Sequence, residues 1–278
     1  MPEKILHLGF TEGTLLCIYW INHYKNINTA EIMAMKKNMI GWLYTTSGYY
    51  DKTQQGHYFN VIHNEEDPDI FKKYMKIIYD FIKNADVYDF CIHSMSIKKE
   101  IEEFKQSINT KHIMEISHEI VFNFVAHKRI LIISPFAPLI KAQIDSGNCK
   151  VIYPNMPMII STNIYTFPYT FFNNGPHNNI LETSEHIFNN IIETITDEYD
   201  SVLISCGAYS FLIAKQFYDI GKNVCTVGGQ LQLYFGILNR RNKLWNKMPT
   251  TNQEYWVIDI PEEYKPADYK KIEDGCYW

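Results

Sequence analysis

Several familiar signatures are missing from this chain, and each absence narrows what it can be. None of the six cysteines (Cys17, Cys91, Cys149, Cys206, Cys225, Cys276) forms a C-x-x-C pair, and most lie far apart inside apolar runs. That spacing predicts buried, reduced thiols rather than a disulfide framework or a thiolate metal site. The ten histidines never fall at H-x-x-H or H-E-x-x-H spacing, so zinc catalysis has little support. There is no G-x-S-x-G and no Walker sequence, which argues against an α/β-hydrolase and a P-loop NTPase. No apolar run reaches about 18 residues, so no membrane span is expected. A signal-peptide core and an N-x-S/T acceptor are also lacking, and a reducing, cytoplasmic setting is the expectation. Net charge is −5 with no long basic block, so nucleic acid is not expected as the main partner.

What is present is a chain of 278 residues, long enough for one large α/β domain or two smaller ones. The hydrophobic share of 46% and charged share of 21% fit an ordinary globular core and surface. Tyrosine and phenylalanine are abundant alongside Asn, Ile and Lys, the usage of an AT-rich coding sequence. That bias says little about mechanism.

Along the chain, strand and helix patterns alternate. Residues 4–8 form a short apolar run ending at Gly9, with helical patterns from Glu12 and over 29–43. Residues 67–84 carry Ile70, Phe71, Tyr74, Ile77, Ile78, Phe81 and Ile82 at helical spacing, started by Asp67-Pro68. Strands are expected at 87–92, 112–116, 128–135 and 151–153. The stretch 155–176, rich in proline and asparagine, reads as a long loop of the kind that forms lids or binding segments. A helix is expected over 182–194. Strands separated by helices imply a Rossmann-like parallel sheet with helices on both faces. The preferred layout is an N-terminal α/β half, 1–125, on the acceptor and catalytic side, and a C-terminal half, 126–278, on the donor side. One continuous domain is the alternative.

Two apolar runs in the last third, 202–204 and 224–227, each lead through glycine into a helix-like stretch. Glycine allows a sharp bend and close approach to a ligand, and the helix after it offers unpaired N–H groups and a positive dipole end. This is the local chemistry of a phosphate site. The candidates are Gly207, Ala208 and Tyr209 at the first bend and Gly228, Gly229 and Gln230 at the second. Ser134, Pro135 and Phe136 end the strand at 128–135 and face the same edge. Arg240 and Arg241 either bring charge to a diphosphate or simply complement a helix C-terminus.

The stretch DSVLISCGAYSFLIAKQFYDIGKNVCTVGGQLQLYFGILNRR, the strand KRILIISPF with Gln143 downstream, and the closing EDGCYW together resemble a family encoded in polysaccharide-biosynthesis gene clusters. The opening HLGFTEG is similar to that family's R-x-G-x-x-E, and with Ser-Gly-Tyr-Tyr at 47–50 it links the family distantly to GT-D-fold glycosyltransferases. The resemblance is weak over 14–127. It implies a GT-D-like architecture, a nucleotide-sugar donor (a UDP-, GDP- or dTDP-sugar) and a glycan acceptor. Donor contacts would come from Gly9 and the bends above. His7 stands where the family has arginine, and Phe10 replaces the first acid of its D-x-E pair, leaving only Glu12. That departure argues against a conventional divalent-metal site, and cationic groups and backbone amides would then stabilise the leaving group.

From position alone, Glu12 reads as a helix N-terminal carboxylate. With the resemblance it becomes the candidate general base that deprotonates an acceptor hydroxyl. The resulting expectation is a glycosyltransferase, inverting in its simplest form, with a retaining route left open. Two alternatives stand beside it. One is a non-catalytic nucleotide-sugar or glycan-binding protein. The other is a Rossmann-like oxidoreductase or methyltransferase, which the lack of G-x-G-x-x-G disfavours.

Overall fold

The structure, a computed structural model, describes residues 4–10, 67–82, 85–89, 113–170, 177, 179–244, 249–267, 269–271 and 275–278. Every strand pairing between its named strands is parallel, which makes the fold α/β and Rossmann-like. The chain divides into two compact units, and it passes between them at 116/117, 168/169, 196/197, 206/207 and 228/229. The boundary expected near 125 lies just beyond the first of these passages. Two later ones fall at the glycine bends, Cys206/Gly207 and Gly228/Gly229.

The first unit carries β1 (Leu6–Phe10), β2 (Asp86–Asp89), β3 (Ile113–Glu115) and β7 (Asn223–Thr226), in the order β3-β2-β1-β7. Helix α1 (Asp67–Ile82) forms where the apolar spacing predicted it, and it buries Tyr74, Ile78, Phe81 and Ile82. Helix α5 (Ile180–Thr194) starts at Asn179, whose side chain accepts from the amides of Leu181 and Glu182. Helix α6 (Tyr209–Asp219) is apolar on nearly every side. Phe217 is fully buried, and it meets Phe188 of α5 edge-on with ring centroids 5.1 Å apart.

The second unit carries β4 (Arg129–Ser134), β5 (Ser161–Thr166) and β6 (Ser201–Ile204), with β4 between the other two. The apolar run Ile130–Ile133 is wholly buried, as a strand covered on both faces requires. Arg129 holds the start of β4 to the segment before β6, donating through Nε and Nη2 to both carboxylate oxygens of Asp200 and through Nη1 to Glu198. Helix α2 (His118–Val125) is capped by Ser117, and α3 (Ala137–Asp145) follows β4.

Three expectations are corrected here. The strand foreseen at 151–153 is the end of a short helix, α4 (Asn148–Ile152): Gly147, at φ 77°, turns the chain into it, and the Tyr153 amide closes on Cys149 O at 2.8 Å. The loop foreseen over 155–176 contains β5. Its Thr, Ile and Tyr residues suit an edge strand, and the surrounding prolines hid it. Arg240 and Arg241 do not end a helix. They begin α8 (Arg240–Leu244), which Asn239 caps by accepting from the Asn242 amide at 2.9 Å.

Four cysteines lie among the described residues, Cys149, Cys206, Cys225 and Cys276, and all four are free and buried. Burial pushes the Cys149 thiol up to about 12. Among the described residues no helix is long and apolar enough to cross a membrane.

Candidate functional site

In the first unit, β1 is the strand at which the order turns: β2 and β3 lie on one side of it, β7 on the other. In open parallel sheets, ligands lie beyond the carboxyl ends of the strands on either side of such a point. Here those ends carry Gly9 and Phe10 on β1, and Thr226, Val227 and Gly228 on and after β7. Leu8 stands opposite Thr226 in the register, and the Gly9 amide donates to Thr226 Oγ1 at 3.0 Å. Gly9 and Thr226 are both buried, so this bond fixes the two strand ends without competition from water.

The first glycine bend also opens in this unit. Gly207 has φ 60°, in the left-handed region that favours glycine, and it is exposed. Ala208 caps α6, and its carbonyl accepts from the fully buried Tyr74 hydroxyl at 2.7 Å. Tyr209 is buried at the start of the helix. The bend is therefore anchored from below by α1 while its glycine faces outward.

Glu12 lies outside the described residues, as does the Ser-Gly-Tyr-Tyr segment at 47–50. His7 stands opposite Asp86 in the β1–β2 register, with Nδ1 3.6 Å from Asp86 Oδ2. Phe10 is in register with Asp89, and Asp89 with Glu115. Acidic positions thus end the two strands beside Phe10, a juxtaposition that no spacing in the sequence reveals.

The remaining candidates belong to the second unit. Ser134 is buried at the end of β4, and its hydroxyl accepts from the Phe136 amide at 3.1 Å, closing the turn at Pro135. Phe136 is buried at the cap of α3 and packs on Trp278, with ring centroids 6.4 Å apart. Gly229 packs closely on the last residues: a Cβ there would stand 3.0 Å from the Tyr277 ring. Gln230 caps the short helix α7 (Leu231–Tyr234).

Arg240 and Arg241 sit against the segment Gly275–Trp278. Their amides donate to Trp278 O and Cys276 O, each at 3.0 Å, so the unpaired N–H groups that open α8 are taken by the chain itself. The Arg241 guanidinium lies 4.8 Å from the Tyr277 ring centroid, and its Nη2 lies 3.0 Å from Cys276 Sγ. The Arg240 side chain is on an exposed residue. Beneath them, Asn239 Nδ2 donates to Gln232 Oε1 at 2.8 Å and to Gly229 O at 3.3 Å, and Gln232 Nε2 reaches Tyr277 O at 3.4 Å. The double-glycine turn, the two arginines and the Gly-Cys-Tyr-Trp segment, far apart in sequence, form one packed assembly.

Gln143, noted in the sequence only for its place after the strand, is buried. Its Nε2 donates to Gly236 O and Tyr255 O, and its Oε1 accepts from Asn148. The geometry gives it a structural role. The candidate residues thus divide: Gly9, Gly207, Ala208, Tyr209 and Gly228 on the first unit, and Ser134, Pro135, Phe136, Gly229, Gln230, Arg240 and Arg241 on the second. Among the described residues no group of three or more His, Cys, Asp or Glu side chains is arranged to hold a metal ion.

Compared with protein-family models, with curated proteins and with solved structures, the chain gives no match.

Proposed function

We propose that this protein is a glycosyltransferase that moves a sugar from a nucleotide-sugar donor to a hydroxyl of a glycan. The observation that carries the reading is the turn in strand order at β1, with Gly9 near the carboxyl end of β1 and Gly228 two residues beyond the end of its neighbour β7. Open parallel sheets take their ligands beyond such ends, and glycine there lets backbone amides approach a diphosphate. The glutamate of the HLGFTEG opening follows two residues after Phe10 in the sequence.

In this reading the donor diphosphate lies beyond the strand end at Gly9, against the bends at Gly207 and Gly228. Glu12 takes the proton of the acceptor hydroxyl as its oxygen bonds to the anomeric carbon. The bond from that carbon to the diphosphate breaks, and the nucleoside diphosphate leaves. A donor-binding role for Arg240 and Arg241 has weaker support, since Arg241 is already engaged by Tyr277 and Cys276.

The test is release of nucleoside diphosphate from UDP-, GDP- and dTDP-sugars with glycan acceptors, comparing the wild type with Glu12→Gln. Loss of release with donor binding largely kept supports the assignment, and unchanged turnover refutes it.

A further inference from the structure

At the start of α5, in the first unit, two histidines that no spacing rule picks out stand side by side. The rings of His177 and His186 have centroids 4.7 Å apart and are tilted by 48°. His177 precedes the helix cap Asn179, while His186 lies on the second turn of the helix and is exposed. Their separation of nine positions follows no zinc-motif pattern. Only the fold of the chain into the capped helix brings them together.

We propose that His177 and His186 form a binding site for a divalent transition-metal ion of the Zn²⁺, Ni²⁺ or Cu²⁺ class, separate from the strand-end site described above. Imidazole nitrogen is a preferred ligand for these ions, and two imidazoles held by one fold bind as a chelate. His177 also has the support that metal-binding histidines require. Its Nδ1 lies 3.2 Å from Thr183 Oγ1, and with Nδ1 as the donor the lone pair is left on Nε2. Thr183 is completely buried, so its hydroxyl is a fixed point against which the ring is oriented.

The surroundings favour a cation. Glu182, one turn before His186, places a carboxylate on the same helical face, and Asn179 Nδ2 donates to its Oε1 at 2.9 Å. Glu185 is exposed on the same helix. Water would complete the coordination, leaving an open and exchangeable site, not the closed four-ligand kind that holds a fold together. The ion would tie the chain at His177 to the second turn of α5. No step of the proposed sugar transfer depends on it.

The experiment is calorimetric titration of the full chain with Zn²⁺, for the wild type, His177→Ala, His186→Ala and Thr183→Val, with circular dichroism confirming that each is folded. One saturable site is expected in the wild type. Loss of either imidazole should weaken it by about a hundredfold, because the second ligand no longer arrives at the effective concentration set by the fold. Thr183→Val keeps both imidazoles and should cost about tenfold through the lost orienting contact. Two results overturn the proposal: no saturable site in the wild type, or equal affinity in the wild type and both alanine variants.

Discussion

The Gly9 amide and the Thr226 hydroxyl meet at 3.0 Å in a buried position, and this bond adds a side-chain tie to the ladder at the ends of β1 and β7. A backbone donor left unpaired in such a place carries its full desolvation penalty. Thr226→Val keeps the shape and removes the acceptor, so it should lower stability by about 1–3 kcal/mol. Thr226→Ser keeps the acceptor and should recover most of that loss. Urea unfolding of the three proteins checks it, and equal midpoints for valine and serine would count against this role of the hydroxyl.

The double-glycine turn makes a separate prediction in the second unit. A methyl group at Gly229 would stand 3.0 Å from the Tyr277 ring, which packs against the Arg241 guanidinium while Gln232 holds the Tyr277 carbonyl. Gly229→Ala should destabilise by about 1 kcal/mol through overpacking. In the background of Tyr277→Ala the same change should be nearly neutral, so a double-mutant cycle should show strong coupling. Additive effects would mean that the close approach to Tyr277 is not why glycine is needed.

Much of the sheet is legible in the residues alone. Ile130–Ile133, bounded by Lys128-Arg129 and Ser134-Pro135, reads as a buried strand because β-branched and apolar residues run without interruption between strong stops. Helix α1 is legible because its buried residues recur at helical spacing. The strand β5 is hidden because, among the described residues, only β4 pairs with it, and its sequence is half polar and sits among prolines. Helix α4 reads as a strand because Val151 and Ile152 favour strands locally, while Gly147 and the buried Cys149 decide the matter through tertiary contact.

At the site, the two glycine bends are legible because a glycine that follows an apolar β-branched run ends the strand and turns the chain. The engagement of Arg240 and Arg241 by Gly275–Trp278 is not, since it depends on a contact between segments more than thirty positions apart. The pairing of His177 with His186 is equally hidden. A helix cap, not a repeat, sets their distance.

Stability should fall on the alkaline side. Burial pushes the Cys149 thiol from 9.0 to about 12, and burial followed by the nearby Cys149 charge also raises the Tyr153 hydroxyl. Both groups are held neutral in the folded chain. Their contribution is complete below the unfolded-state values and is lost as pH rises through the window between unfolded and folded values. From about pH 9 towards 12, Cys149 alone should add a slope approaching about 1.4 kcal/mol per pH unit. Chemical unfolding across that range should show a shallower fall in Cys149→Ala. An identical slope in the variant would contradict the assignment.

The most direct test of the central claim is a thermal-unfolding panel on the wild-type chain with UDP-, GDP- and dTDP-sugars, NAD and S-adenosylmethionine. A nucleotide sugar of the right base, at about 100 times its dissociation constant, should add ~2.7 kcal/mol to stability. NAD and S-adenosylmethionine should add nothing. Stabilisation by either of those two, or by none of the nucleotide sugars, would contradict the claim that the Gly9 and Gly228 strand ends receive an activated sugar.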